Sequence, residues 1–212
     1  MNSVDAQKLR EILVDIPDEI RARVVSFYQL LANENQKQNL TRLISPEDFR
    51  NGHLVDVLEL LKSQMLEYPA VDLGSGCGVP GLLAAVVEPR EWVLVESEKR
   101  KAEFLERATQ ELNLKPFVTV RAERLESYLK AQSTNAIVAR AVGSVEKIYA
   151  WIIKCSTWNN LILFKGPGWD EEWSRFQQSR FRDDLRVSSI HSYTIDASSR
   201  ERKIIKLERT KS

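Results

Sequence analysis

Four glycines within eight residues form the segment of this sequence best suited to bind a ligand. It reads Gly74-Ser75-Gly76-Cys77-Gly78-Val79-Pro80-Gly81 and lies between two largely apolar segments, residues 71–73 and 82–87. Glycine adopts positive φ readily and, because it lacks a Cβ, lets a ligand approach the main chain. The pattern therefore predicts a strand, a tight turn and a helix that together bind a nucleotide-like molecule.

Acidic residues on either side of this turn indicate two cofactor classes. Glu96 ends the next predicted strand, about 20 residues further on, where an acid can bind a ribose hydroxyl pair. The last three glycines satisfy the G-x-G-x-x-G pattern of NAD-binding folds. Asp72 lies just before the first glycine and can instead face the ammonium group of S-adenosylmethionine, which its spacing from the glycines fits better. A glycine-rich turn without a ligand is a minor alternative.

Composition limits the classes of protein to which the chain can belong. A hydrophobic content of 43% and a charged content of 29% exclude a disordered chain, and no apolar run is long enough to cross a bilayer. The start of the chain lacks a basic patch followed by an apolar segment, so we expect no secretory signal and a cytoplasmic location. A net charge of +1 is no global signature of nucleic-acid binding, so any RNA contact must be local.

The two cysteines, Cys77 and Cys155, are too few for a disulfide framework. Neither has metal-ligand spacing to His53 or His191, so we expect free thiols and no metal. Cys77 precedes a predicted helix and could be a nucleophile with a lowered pKa. Because no histidine lies near it in sequence, we prefer the interpretation that it is a small residue filling the turn.

The glycine turn must be positioned by a β-sheet. The sequence predicts helices in the N-terminal part of the chain and a sheet after them. Apolar residues recur at helical spacing between residues 20 and 31, so we predict an N-terminal helical cap over residues 1–68. From Ala70 onward, short apolar runs alternate with helical segments, which indicates βαβ units and a parallel sheet. The predicted strands are 70–73, 92–96, 117–120, 135–139 and 161–165, and the predicted helices are 79–87, 99–112, 144–155 and 169–178.

The last segments differ from this alternation. Residues 185–195 and 202–207 predict two strands, and the link between them is too short for a parallel crossover, so they form an antiparallel hairpin. Such a hairpin at the edge of a parallel sheet is typical of S-adenosylmethionine-dependent methyltransferases. We therefore predict an α/β fold with a doubly wound, mostly parallel seven-stranded sheet, Rossmann-like and of methyltransferase class I, in which residues 69–212 bind S-adenosylmethionine.

Six short blocks, in order, carry a resemblance that covers nearly the whole chain. The blocks are Asn39-Leu40-Thr41, the helical His53-Leu54-Val55-Asp56, the glycine turn, Ala139-Arg140-Ala141, Phe164-Lys165-Gly166 and Glu201-Arg202-Lys203. This set resembles the bacterial 16S ribosomal RNA guanine-N7 methyltransferase family, also called glucose-inhibited division protein B or methyltransferase G. The resemblance implies methyl transfer from S-adenosylmethionine to N7 of one guanine of 16S ribosomal RNA, within the 30S subunit or an assembly intermediate.

The resemblance also implies roles for individual residues. Gly74 and Val79 would contact the cofactor, Arg124 and Leu125 would line its adenine, and Arg140 would be the catalytic residue beside cofactor and substrate. With the acids and glycines of the turn, the predicted cofactor-binding residues are Asp72, Gly74, Gly76, Gly78, Val79, Glu96, Arg124, Leu125 and Arg140. The candidate contacts for substrate RNA are Asn39, His53 and Lys165. This chain departs from the family in having Glu96 where an aspartate is usual, Glu123 in place of the family's usual arginine in the adenine segment, and Ala139 where a serine is usual.

Guanine N7 carries a free lone pair, so the predicted reaction needs no base and catalysis rests on alignment. We expect Arg140 to donate to guanine O6 or to a nearby phosphate, with an ion pair at the strand end as the alternative. Three other functions stay open at this point. They are an S-adenosylmethionine-dependent methyltransferase with a protein or small-molecule acceptor, an NAD-dependent oxidoreductase, and an RNA-binding protein that has lost the cofactor.

Overall fold

The computed structural model describes residues 3–195 and 201–210. Its seven described strands are β1 (Ala70–Leu73), β2 (Trp92–Val95), β3 (Val118–Arg121), β4 (Thr134–Arg140), β5 (Trp158–Lys165), β6 (Leu185–Tyr193) and β7 (Arg202–Arg209). They form one sheet in the order β3-β2-β1-β4-β5-β7-β6. The first five strands pair in parallel, whereas β7 is antiparallel to both β5 and β6. The predicted fold class is confirmed, and the predicted link 196–199 lies outside the described residues.

The register brings the ends of the parallel strands level with one another. Leu73, the last residue of β1, pairs with Val95 on one side and with Ala139 on the other. Arg140, the last residue of β4, pairs with Phe164 of β5. The segments that follow these strands therefore lie at one edge of the sheet. The strand order also reverses between β1 and β4, and this is where open α/β sheets bind ligands.

Helices cover both faces of this sheet. They are α1 (Ser3–Ile12), α2 (Asp18–Gln38), α3 (Pro46–Phe49), α4 (Val55–Lys62), α5 (Gly81–Val87), α6 (Lys99–Glu111), α7 (Leu125–Ala131), α8 (Val145–Ile152) and α9 (Trp169–Gln177), with a π-helical turn, Arg50–Leu54, between α3 and α4. Helix α7 was not predicted, because its seven residues bury only Leu125, Tyr128 and Leu129, too few for a visible helical period. No described helix is both long and apolar enough to cross a membrane.

Two hydrophobic cores sandwich the sheet because successive residues of a strand point to opposite faces. Ala70 and Leu94 face the core that contains the N-terminal helices, α5 and α6, whereas Val71 and Val93 face the core beneath α7, α8 and α9. Burial on both faces explains why the central strands are continuous apolar runs. The N-terminal helices thus share a core with the sheet, and their separation as a unit ending at residue 68 stays a prediction.

Candidate functional site

The glycine turn after β1 has the backbone conformation that its composition predicts. Gly74, Gly76 and Gly78 have φ of +67°, +51° and +86°, a region that other residues rarely adopt. The Gly74 N–H donates to the Val95 carbonyl at 2.9 Å, which ties the turn to the end of β2. The positive φ angles and this hydrogen bond together fix the conformation of the turn at the edge of the sheet.

Gly81, the fourth glycine, allows the start of α5 to pack closely against β1 and β2. A Cβ at this position would lie 2.8 Å from Asp72 Cβ and 2.6 Å from Leu94 Cδ2. The Gly81 N–H also donates to Asp72 Oδ2 at 2.9 Å. Helix α5 consequently begins in direct contact with β1, and this contact fixes the position of the Asp72 carboxylate.

Asp72 is an almost fully buried acid, with 1% of its surface exposed. Burial raises the pKa of its carboxyl group from 3.8 to about 7, and the hydrogen bonds from Gly81 N–H and the Ser75 side chain only partly offset this rise. Because burial disfavours the ionised form of this carboxyl group, an adjacent cation would stabilise the carboxylate. The position thus supports the predicted contact with an ammonium group, which stays a prediction.

The raised pKa of Asp72 predicts a pH-dependent stability. Between pH 4 and 7 the folded protein holds a proton that the unfolded chain releases, so raising the pH through this window removes up to about 1.4 kcal/mol per pH unit from the free energy of unfolding. We expect Asp72→Asn to gain stability relative to the wild type from pH 5 to pH 7 and no further above it. Urea unfolding of both proteins measures this difference, and a difference independent of pH would contradict the assignment.

Glu96 ties the glycine turn to the segment after β2. Its Oε2 accepts from Gly76 N–H at 3.0 Å, and its Oε1 accepts from Glu98 N–H at 2.8 Å. Each carboxylate oxygen keeps a second lone pair, so both remain able to accept a ribose hydroxyl. The predicted ribose contact is compatible with this geometry and remains a prediction.

A pocket of about 140 Å³ beside the turn brings together three of the predicted cofactor residues, Gly74, Arg124 and Leu125. Val142 and Trp151 complete its apolar wall. Whole-ligand sites usually measure about 300–1,000 Å³, so this pocket accommodates only part of a cofactor. Val79 and Gly78 do not line this pocket: Val79 is buried in the core shared with the N-terminal helices, and a Cβ on Gly78 would meet Leu82 at 3.2 Å. Their contacts with the cofactor stay predictions.

Cys77 does not have the lowered pKa of a nucleophile. Burial raises the pKa of its thiol above the ordinary value, because the surroundings disfavour the thiolate. The interpretation of Cys77 as a small residue that fills the turn is consistent with this environment.

A second pocket, of about 270 Å³, opens at the carboxyl ends of β4 and β5. The residues that line it are Leu43, Gly52, Asp56, Arg140, Ala141, Phe164, Lys165, Gly166, Tyr193 and Arg202. They come from the loop between α2 and α3, the π-helical turn and the start of α4, the segments at the ends of β4 and β5, and the C-terminal hairpin. This pocket is the candidate substrate site.

Arg140 is anchored in the second pocket by three contacts. Its Nε donates to Asp56 Oδ2 at 2.8 Å, its Nη1 contacts His53 Nδ1 at 3.2 Å, and its Nη2 donates to the Gly52 carbonyl. The ion pair that we considered as an alternative is therefore present. Since a guanidinium has five N–H donors, two remain for a ligand, and the ion pair and a substrate contact are compatible.

His53 lies beneath Arg140, and its burial does not fit the expected contact with RNA. Only 2% of the residue is exposed, and its Nε2 is 3.0 Å from Thr41 Oγ1. Burial, together with the adjacent Arg140, lowers the pKa of the imidazole to about 4, so it is neutral at pH 7. Arginine can only donate, so His53 Nδ1 accepts and its Nε2 proton is directed to Thr41. We correct its role to support of Arg140.

Lys165 is also paired within the protein. Its Nζ donates to Glu172 Oε1 at 2.8 Å and to the Gly143 carbonyl at 3.0 Å. These contacts connect the end of β5 to α9 and compensate the charge that we expected to bind a phosphate. Asn39 is exposed and ends α2 in a left-handed conformation with φ of +51°. It does not line the second pocket, and its contact with RNA stays a prediction.

Three polar side chains that line the second pocket, those of Asp56, Tyr193 and Arg202, were not assigned roles from the sequence. Asp56 Oδ1 accepts from the Tyr193 hydroxyl at 2.7 Å and from Arg202 Nη1 at 2.6 Å. Burial and the adjacent Asp56 raise the pKa of Tyr193, so it stays protonated and donates. Asp56 and Arg202 lie within blocks that carry the family resemblance. The sequence could therefore have marked these two positions as candidates, but it gave no indication of what their side chains do. Tyr193 lies in no such block.

Comparison with known sequences adds evidence independent of this geometry. Residues 20–205 match the GidB family model, described as rRNA small subunit methyltransferase G. The ribosomal RNA small subunit methyltransferase G of Solibacter usitatus is 29% identical over 209 residues, which cover 95% of this chain and 98% of that protein. The protein of the same name from Pseudothermotoga lettingae is 31% identical over 198 residues, covering 92% and 85%.

Solved structures match the fold at low sequence identity. The METTL16 MTase domain superposes with a TM-score of 0.54 at 15% identity, covering 87% of this chain and 80% of that one. M. capricolum TrmK, in complex with S-adenosylhomocysteine, superposes with a TM-score of 0.54 at 9% identity, covering 73% and 68%. At these identities the likeness supports the architecture alone.

Proposed function

Because this chain belongs to the GidB family of rRNA small subunit methyltransferases G, we propose that it transfers the methyl group of S-adenosylmethionine to N7 of a guanine in 16S ribosomal RNA. The observation that carries this proposal is a wall shared by the two pockets. Arg140 and Ala141 line the second pocket, and Val142, the next residue, lines the pocket beside Gly74. A cofactor against the glycine turn and a base beside Arg140 would therefore meet across one short segment.

The residues around the first pocket fit S-adenosylmethionine. When bound, this cofactor supplies an electrophilic methyl group on a sulfonium. We assign the adenine to Arg124 and Leu125, the ribose hydroxyls to Glu96 and the ammonium group to Asp72. The three left-handed glycines keep Cβ atoms away from the cofactor edge of the sheet. The open sheet edge holds the part of the cofactor that the small pocket cannot enclose.

The residues around the second pocket fit a reaction that depends on alignment. Guanine N7 attacks with a lone pair that is already free, so no side chain has to remove a proton first. His53 is neutral and buried, which makes it a support rather than a base. Arg140 has two N–H donors left for guanine O6 or a phosphate, and its anchors hold it in one orientation.

We propose 16S ribosomal RNA within the 30S subunit, or within an assembly intermediate, as the physiological partner. A net charge of +1 neutralises few phosphates, so recognition of free RNA by charge alone would be weak and sensitive to salt. A folded ribonucleoprotein surface offers shape as well as charge. Asn39, exposed at the end of α2, is kept as a proposed RNA contact, and a ribosomal substrate implies a cytoplasmic location.

Transfer of radiolabelled methyl from S-adenosylmethionine tests the proposal. The acceptors are 30S subunits from a strain that lacks this enzyme, followed by nucleoside analysis. We expect labelled 7-methylguanosine in 16S RNA, and less label on protein-free RNA than on 30S subunits. Arg140→Gln is the matched variant, expected to lose the product while binding the cofactor in calorimetry. Cofactor binding without label would assign the enzyme to another acceptor, and equal label on protein-free RNA would contradict the 30S partner.

A further inference from the structure

The second pocket contains an uncompensated positive charge. Of its described lining residues, Arg140, Lys165 and Arg202 are cations and Asp56 is the acid. Lys165 is compensated by Glu172, as described above, and one of the two arginines is compensated by Asp56. Asp56 lies against Arg140 in the more buried pair, so the excess charge is that of Arg202.

Within the described part of the chain, Arg202 also leaves some of its hydrogen-bond donors unused. Its Nη1 uses both protons, toward Asp56 Oδ1 at 2.6 Å and the Asn51 carbonyl at 3.2 Å. Its Nε and Nη2 have no hydrogen-bond partner among residues 3–195 and 201–210. These two nitrogens form one edge of the planar guanidinium, and 34% of the side chain is exposed. A charged, partly exposed arginine edge with two parallel donors matches a phosphate or a carboxylate.

We propose that Arg202 is a phosphate-binding residue, whose Nε and Nη2 edge binds a phosphodiester of the RNA that enters the second pocket, and that Asp56 is the residue that positions it. This inference rests on the proposed function for its choice of RNA as the source of the phosphate. Asp56 holds Arg202 through Nη1, and that contact leaves the opposite edge of the guanidinium available.

The chemistry of the proposed reaction favours phosphate over base recognition by Arg202. Arginine can also bind guanine through O6 and N7 together. That contact would occupy the N7 lone pair that must attack the methyl group, so it cannot form at the reacting guanine. A phosphodiester of the same or a neighbouring nucleotide accepts two hydrogen bonds without blocking N7.

The test is the salt dependence of binding to 30S subunits, measured without cofactor so that no turnover occurs. Loss of one phosphate contact lowers the slope of log K against log salt by about 1. We expect this decrease for Arg202→Gln, with binding weakened about tenfold and cofactor affinity unchanged. Arg202→Lys keeps the charge but loses the two-pronged edge, so we expect a wild-type slope and weaker binding. An unchanged slope in Arg202→Gln would overturn the proposal.

Arg186→Gln is the matched control, since Arg186 pairs with Glu208 on the exposed surface of the same hairpin. We expect it to keep the wild-type slope. Arg202→Gln should fold, because Asp56 retains Arg140 and Tyr193 as donors, and thermal unfolding checks this. Replacing chloride with inorganic phosphate at equal ionic strength should weaken 30S binding of the wild type more than that of Arg202→Gln.

The measurements separate this inference from the proposed function. If 30S subunits bind with the expected slopes but acquire no 7-methylguanosine, the proposed reaction fails and the phosphate site stands. If inorganic phosphate raises the thermal midpoint of the wild type but not of Arg202→Gln, while the RNA slope is the same in both, the site takes free phosphate and the RNA assignment is overturned. If neither phosphate nor RNA distinguishes the two proteins, Arg202 has only a structural role and the inference is wrong.

Discussion

Asp56→Asn is expected to lower the free energy of unfolding by about 3 kcal/mol and to abolish methyl transfer. The carboxylate is 5% exposed and accepts hydrogen bonds from Arg140, Arg202 and Tyr193. Asparagine has nearly the same shape but no charge, so the substitution leaves two arginines together without the anion between them. Urea unfolding measures the stability, and the 30S methylation assay measures the activity.

Asp170→Asn is the matched control for this prediction. Asp170 pairs with Lys203 at 3.2 Å but has 78% of its side chain exposed, so its loss should change stability by no more than about 0.5 kcal/mol. Tyr193→Phe removes one neutral donor and leaves both ion pairs, so we expect a loss of about 1 kcal/mol. If Asp56→Asn unfolds at the same urea concentration as Asp170→Asn, the buried cluster does not stabilise the fold.

Gly81→Ala is expected to destabilise the protein by about 2 kcal/mol and to weaken cofactor binding strongly. The new methyl group would lie 2.8 Å from Asp72 Cβ and 2.6 Å from Leu94 Cδ2. Leu94 can shift the end of its side chain, but Asp72 Cβ is held in place by β1, which pairs with β2 on one side and with β4 on the other. Helix α5 must therefore move away from β1, which displaces the Asp72 carboxylate from the Gly81 N–H. Chemical unfolding and calorimetry with S-adenosylmethionine measure the two effects.

Gly168→Ala provides the control, because Gly168 has a φ of −78° and a Cβ there would have no neighbour within 4 Å. It is the N-cap residue of α9, a position at which glycine is preferred to alanine, so we expect a loss of about 0.5–1 kcal/mol, smaller than that of Gly81→Ala. Equal losses in Gly81→Ala and Gly168→Ala would show that the contact with Asp72 is not the cause.

Local sequence patterns were sufficient for most of the secondary structure and for the fold class. Strand β1 occupies the predicted residues 70–73, and the left-handed glycines that follow it lie where a Cβ-free backbone was expected. These features depend on neighbouring residues and on a short hydrophobic period, both of which are visible in a linear chain. Helix α7 was not predicted because its seven residues include too few buried apolar positions to show a helical period. The family prediction is confirmed by the match over residues 20–205.

The sequence by itself determined the fold class, the family and the positions of the glycine turn and of Arg140. Only the tertiary structure decided which side chains meet in the second pocket. Asp56 joins Tyr193 and Arg202 across 137 and 146 residues of sequence, and His53 lies buried beneath Arg140 rather than at the surface. Pairing of charged side chains depends on distance and burial, and both arise only when the C-terminal hairpin packs beside the N-terminal helices. The sequence pattern therefore located the chemistry, whereas packing determined which charges are compensated and which remain available to a ligand.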